Sequence, residues 1–122
     1  MPIAKTLRGK TSYLAGLAAE TAVAADYQQR AFTIVERRWR SPRGEIDLIV
    51  EAPDMLVFVE IKKSRYFASA AASLSQRQIT RILATAQDYL AQAEQTNDID
   101  LRCDVALVDA QGRIEILENA FM

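Results

Sequence analysis

A chain of 122 residues, 50% apolar and 25% charged, is sized for one domain, residues 1–122, with one proper core. It contains no histidine, which excludes Ser-His-Asp and Cys-His triads and any zinc site built from Cys and His ligands. Its net charge of −1 conceals +5 over residues 1–44 and −6 over residues 45–122.

The amino terminus, Met-Pro-Ile-Ala-Lys, lacks the apolar core of a signal peptide, and no apolar run reaches the length of a membrane span. Cys103 is the only cysteine, so no internal disulfide forms. These features predict a cytoplasmic protein with no membrane partner.

Thr11-Ser12 is a capping signal, and the Ala-rich segment after it predicts a helix. Leu14, Leu17, Ala18, Ala22, Ala25 and Tyr27 fall on one stripe at helical spacing. Phe32–Arg40 alternates and reads as a strand, Ser41–Gly44 as a turn. "EIDLIVEA" and "LVFVEIKKS" are two further strands joined across Ala52–Met55. "RYFASAAASL" reads as a loop. Ser75 opens a long helix with Ile79, Ile82, Leu83, Ala86, Tyr89 and Leu90 on its apolar face, and "TNDID" closes it. "LRCDVALVDA" and "RIEILE" are the last two strands, separated by a Gln-Gly turn. A helix between the third and fourth strands permits parallel pairing there. The expected architecture is α/β, a central mixed sheet flanked by helices.

Charged residues interrupt the two apolar strands at their far ends. Glu60 and Lys62 are two apart and project together, with Val57, Val59 and Ile61 on the opposite face. Ile46, Leu48 and Val50 are expected on one side of the preceding strand, Glu45, Asp47 and Ile49 on the other. Equal steps back from the turn bring Asp47 near the Glu60–Lys62 end. Two carboxylates can hold Mg²⁺, a hard cation that keeps several waters, with the Ile61 backbone carbonyl as a further oxygen ligand. Such an ion polarises a phosphate and acidifies its bound water. Lys62 can position that water or stabilise the charge of the transition state. A buried ion pair of Lys62 with Asp47 or Glu60 is the competing reading.

"GEIDLIV" followed by "LVFVEIKKS" resembles the signature of the YraN family of small bacterial proteins, and the likeness spans most of the chain. That family belongs to the restriction-endonuclease-like PD-(D/E)xK superfamily and is similar to archaeal Holliday-junction resolvases. The resemblance implies a restriction-endonuclease-like three-layer sandwich and a Mg²⁺- or Mn²⁺-dependent nuclease core. It implies Asp47 as the first active-site acid, Glu60 and Lys62 as the Glu-x-Lys pair, and Glu20 as an additional metal ligand or water-organising acid. "RQITRILATAQDYL" matches the family's following helix, and "LRCDVALVD" with "ILENAF" its last strand and tail. The family usually has Gly where this chain has Ala31, and many members have Lys at the position of Gln78.

The stretch from Ile61 to Gln87 has five basic residues and no acidic one. Lys63, Arg65, Arg77, Arg81 and Gln78 are candidate nucleic-acid contacts, as are Arg40 and Arg43 of the strand-and-turn patch that also holds Arg37 and Arg38. The competing readings are a solvated basic face, a charged edge strand and, for Gln78, a capping box with Ser75. Glu45 reads as a metal-assisting acid or a rim charge, and Trp39 as a base-stacking or half-buried core residue. Arg102 and Asp104 read as a structural pair, Cys103 as a core residue. The expected function is a metal-dependent endonuclease on DNA, with branched or structured DNA implied by the resolvase likeness alone; a resolvase would need two active sites and hence a homodimer. A nucleic-acid-binding module that keeps the fold without efficient catalysis is the alternative, and a protein-interaction domain the third reading.

Overall fold

A computed structural model describes residues 2–94 and 98–121, with side chains from residue 16 onward. Five strands form one sheet in sequence order: β1 (Thr33–Ser41), β2 (Gly44–Ala52), β3 (Met55–Lys63), β4 (Asp100–Val108) and β5 (Ile114–Leu117). The turns at Pro42-Arg43 and Pro53-Asp54 have two residues each, so β1, β2 and β3 pair antiparallel. The crossover through α2 (Phe67–Ala72) and α3 (Gln76–Gln92) returns the chain parallel to β3 on β4, and β5 closes the sheet antiparallel.

Helix α1 (Pro2–Gln29) covers one face of the sheet, and α2 and α3 cover the other, giving three layers. Under α1, Val23, Ala24 and Tyr27 pack on Leu48, Val50, Val57 and Val59. Under α3, Ala86 packs with Ile46, Ile49, Phe58 and Cys103. Leu56 to Val59 are all buried, because the middle of β3 is covered on both faces. No helix among the described residues is long and apolar enough to cross a membrane.

Three expectations are corrected. Helix α1 begins at Pro2, so Thr11 and Ser12 lie inside it and do not cap its start. Among its described side chains the buried ones are Ala19, Val23, Ala24 and Tyr27, while Ala18 and Ala25 are exposed; Leu14 lies outside the described side chains. Alanine is apolar on every face of this helix, and the bulky Val23 and Tyr27 decide which one turns inward. The segment expected as a loop forms α2, held by Ala70, which is fully buried against Val105 and Leu107. Packing supplies what a six-residue helix lacks in isolation. At α3, Ser75 and Gln78 do form the expected capping box. Residues 95–97 of the expected helix end lie outside the described residues.

The end of α1 explains a departure noted in the sequence. The Phe32 N–H donates to the Tyr27 carbonyl and the Ala31 N–H to the Gln28 carbonyl, a Schellman motif with Ala31 at its left-handed position, φ 71°. Phe32 and Tyr27 meet edge-to-face at 5.6 Å, the apolar contact that accompanies this motif. A Cβ is disfavoured at such a φ. Ala31→Gly is therefore expected to raise the unfolding free energy by about 0.5–1 kcal/mol in urea titrations; a loss of stability would refute the strain.

Candidate active site

The β2–β3 ladder runs from Ala52↔Met55 to Leu48↔Val59 and stops there. One step further, Asp47 stands opposite Glu60. The Ile61 N–H donates not to a backbone carbonyl but to Asp47 Oδ2, at 2.7 Å. N–H and C=O of one strand residue project to the same side, so the Ile61 carbonyl also faces this opened edge. Strand β1 is irregular too: Arg38, between the pairs Arg37↔Leu48 and Trp39↔Ile46, has φ 49°, and the register against β2 shifts between Ile34 and Glu36.

This irregularity overturns the expected alternation of β2. Leu48 and Val50 pack under α1, but Ile46 joins Ile49 under α3. Asp47 thus sits where the strand changes faces. A Cβ on Gly44 would lie 2.7 Å from Thr85 Oγ1, and Thr85 is fully buried. The lack of a side chain at Gly44 lets β2 start close against α3, which brings Gln78 and Arg81 to the same cavity as the two acids.

Asp47 and Glu60 share a hydrogen bond, and burial raises the proton affinity of both. Glu60 is pushed up to about 8, by burial first and then by the Asp47 charge, with Lys62 opposing. Asp47 is raised by burial and by the charges of Glu45 and Glu20, opposed by the Ile61 N–H. Lys62 Nζ lies 3.9 Å from Glu60 Oε1, both side chains only 16% and 15% exposed. The acid, acid, lysine set read from the sequence is therefore one cluster.

Other candidates are placed differently. Glu20 accepts from Arg38 Nε at 2.8 Å, while its carboxylate lines, with Asp47 and Ile61, a cavity of about 170 Å³ on the α1 side. Arg40 pairs with Glu45 at 3.4 Å. Arg43 is held by Asp88 at 2.7 Å, and the Ser41 hydroxyl donates to the same carboxylate. The Gln78 Oε1 accepts from the Ser75 N–H at 3.1 Å. Trp39 packs edge-to-face on Tyr89 in the core. Cys103 is buried, its thiol pushed up to about 12 by burial. Lys63, Arg65, Arg77 and Arg81 have no carboxylate partner among the described residues.

Two residues have roles that the sequence reading did not give them. The fully buried Tyr27 hydroxyl donates to Asp104 Oδ2 at 2.7 Å, making the Arg102–Asp104 pair part of a larger network. Tyr66 is 64% exposed; its only sequence signal was an aromatic next to Arg65 in a segment otherwise rich in small residues.

The donor set suits a hard dication. Once both are ionised, the two buried carboxylates repel and need positive charge, which one lysine at 3.9 Å supplies only in part. Among the described residues no three Asp, Glu, Cys or His side chains stand close enough together to hold a metal. That matches an ion bound through one or two carboxylates and several waters rather than an all-protein cage.

Residues 19–108 match the model of the uncharacterised protein family UPF0102. A UPF0102 protein of Ruegeria pomeroyi is 52% identical over 114 residues, 93% of either chain. One of Cereibacter sphaeroides is 48% identical over 115 residues, covering 94% of this chain and 98% of its own. One of Roseobacter denitrificans is 44% identical over 117 residues, covering 96% and 91%. The matched span holds Glu20, Asp47, Glu60 and Lys62.

Proposed function

The chain belongs to the uncharacterised protein family UPF0102, the YraN family, and for this member we propose divalent-metal-dependent endonucleolytic cleavage of DNA. The observation that supports this most is the juxtaposition of Asp47, Glu60 and Lys62 at the one point where the β2–β3 ladder opens. Asp47, Glu60 and the Ile61 carbonyl would hold Mg²⁺ or Mn²⁺, which supplies Lewis-acid polarisation of the phosphate and acidification of a bound water. The Ile61 N–H fixes Asp47 in place. Lys62 positions the attacking water and stabilises the negative charge that builds on the phosphoryl oxygens. Glu20, tied to Arg38, serves as a water-organising acid at the rim rather than a ligand.

The test is incubation with junction, flap and single-stranded DNA in the presence of Mg²⁺ or Mn²⁺. Cleavage is expected, and Asp47→Asn and Lys62→Ala should each slow it by about 100-fold or more. Asparagine keeps an acceptor oxygen for the Ile61 N–H, so the first variant tests charge rather than folding. Cleavage unaffected by either substitution would sink the assignment. A binding module without cleavage is the second reading, favoured by the finding that no three acids are grouped among the described residues. It predicts salt-sensitive DNA binding that metal leaves unchanged.

A further inference from the structure

Four cavities adjoin one another through shared lining residues. The largest, about 750 Å³, lies between Ala18 and Ala22 of α1 and the segment Lys63–Arg65. It shares Ala19 and Lys63 with the cavity of about 170 Å³ on the α1 side of Asp47. Asp47 joins that one to the cavity of about 200 Å³ beside Glu60. Arg81 joins the latter to a surface hollow of about 420 Å³ lined by Arg43, Arg77 and Thr80. Taken together, the cavities form a groove that turns from the α1 side to the α3 side at Asp47, where the β2–β3 ladder has ended, with the acid pair at its middle and cations at both ends.

Pairing separates these cations from most of the others; Arg37, on β1, also has no carboxylate partner among the described residues but lines none of the four cavities. Arg30, Arg38, Arg40, Arg43, Arg102 and Arg113 each face a carboxylate. Lys63 and Arg65 at one end, and Arg77 and Arg81 at the other, have none among the described residues. Two unneutralised cationic ends separated by a metal-hungry acid pair complement a polyanion that crosses the site. The spaces beside the acids are small: about 170 and 200 Å³ are each below the roughly 300 Å³ at which small-molecule sites begin. Spaces of this size suit one sugar-phosphate strand better than a base-paired duplex.

The wide end carries what a single strand needs besides charge. Tyr66, next to Arg65, is the most exposed large apolar side chain among the described residues. Its backbone is held on three sides: the Ser64 N–H donates to the Val108 carbonyl, the Ala110 N–H to the Arg65 carbonyl, and the Ala70 N–H to the Tyr66 carbonyl. An exposed ring on a fixed backbone, one residue beyond Arg65 of the wide cavity, can serve as a stacking platform for an unpaired base. We propose that the groove takes single-stranded DNA, with Tyr66 stacking on a base at the Lys63–Arg65 end and Arg77 and Arg81 holding the backbone beyond the acids. This deepens the nuclease reading, on which it rests for the identity of the polymer, by restricting the substrate to an unpaired strand or displaced arm.

The test is fluorescence anisotropy with a labelled oligothymidylate and a labelled hairpin duplex, both in EDTA. The oligothymidylate is expected to bind the tighter of the two. Tyr66→Ala should weaken it about tenfold or more without changing the salt slope, and Tyr66→Phe should restore it. Arg77→Ala should instead flatten the slope by about one. Duplex binding equal to or tighter than single-strand binding overturns the proposal, as does a Tyr66→Ala variant that binds oligothymidylate normally or loses both probes equally. Because these measurements contain no metal, the two readings fail separately. Single-strand binding without metal-dependent cleavage refutes the nuclease and leaves the groove. Cleavage sensitive to Asp47→Asn, without strand preference, refutes the groove and leaves the nuclease.

Discussion

Asp104→Ala is expected to lower the unfolding free energy by about 3–5 kcal/mol. Asp104 is fully buried on the α1 face of β4. Its carboxylate accepts from Tyr27 at 2.7 Å, from Arg102 Nε at 2.8 Å and Nη2 at 3.0 Å, and from the Asn119 N–H at 2.9 Å. One side chain thereby fastens the end of α1, the start of β4 and the segment after β5. Its removal leaves the Tyr27 hydroxyl without its acceptor in the interior and the Arg102 guanidinium, 17% exposed, facing Glu118 at 3.6 Å and the Phe32 ring at 5.7 Å. Burial, with Asp104 beside it, already holds the Tyr27 phenol far above its ordinary range, so it cannot compensate by ionising. Tyr27→Phe alone should cost about 1 kcal/mol, because Asp104 keeps its other donors. In the Asp104→Ala background that same change should cost nothing, the coupling that a double-mutant cycle in urea measures. A single-variant loss below about 1 kcal/mol for Asp104→Ala would show the network to be incidental.

That network marks where the sequence stops being legible. Arg102 and Asp104 are two apart on one strand and pair visibly, but Tyr27 lies 77 residues from Asp104, and no local period encodes their meeting. What could be read was set by local rules. Two-residue turns fixed the register that places Asp47 opposite Glu60, and Ser75 with Gln78 announced the start of α3. Where packing competes with local preference, the reading failed. The Ala-rich α1 offers several equivalent apolar faces, and α2 forms only because Ala70 finds Val105 and Leu107. The face change at Asp47 was hidden for another reason. A side chain takes the place of a main-chain partner there, and strict alternation assumes that the ladder continues. The set of acids was therefore correct while the way β2 presents them was not. Glu20 likewise lies beside the site, but its bond to Arg38 comes from a distorted β1 residue that no spacing rule anticipates.

The second large effect is a dependence of stability on pH that divalent metal reverses. Glu60 has an ordinary value of 4.5 and a folded value of about 8, so between those limits the folded protein keeps a proton that the unfolded chain releases. Stability from this group is fully present below about 4.5, falls as pH rises, and is lost once the folded carboxyl ionises near 8. With the side chain 15% exposed, the loss is on the order of a few kcal/mol. Asp47, raised in the same direction, adds to the decline from the acid side. Metal-free protein should therefore melt at a progressively lower temperature between pH 5 and about 8. Metal binding needs both carboxylates ionised, so the rise in melting temperature on adding Mg²⁺ should be small near pH 6 and large above pH 8. Glu60→Gln removes the titrating group and keeps a hydrogen-bond donor for Asp47. This variant should be flatter in pH, more stable than the parent in metal-free buffer above pH 8, and unresponsive to Mg²⁺. A parent protein whose melting temperature is constant across this range, or a Glu60→Gln variant with the same slope, would detach the acid pair from both folding and metal. The opposite result ties them together through one proton: the instability that the pair imposes at high pH is what makes the site able to take a cation.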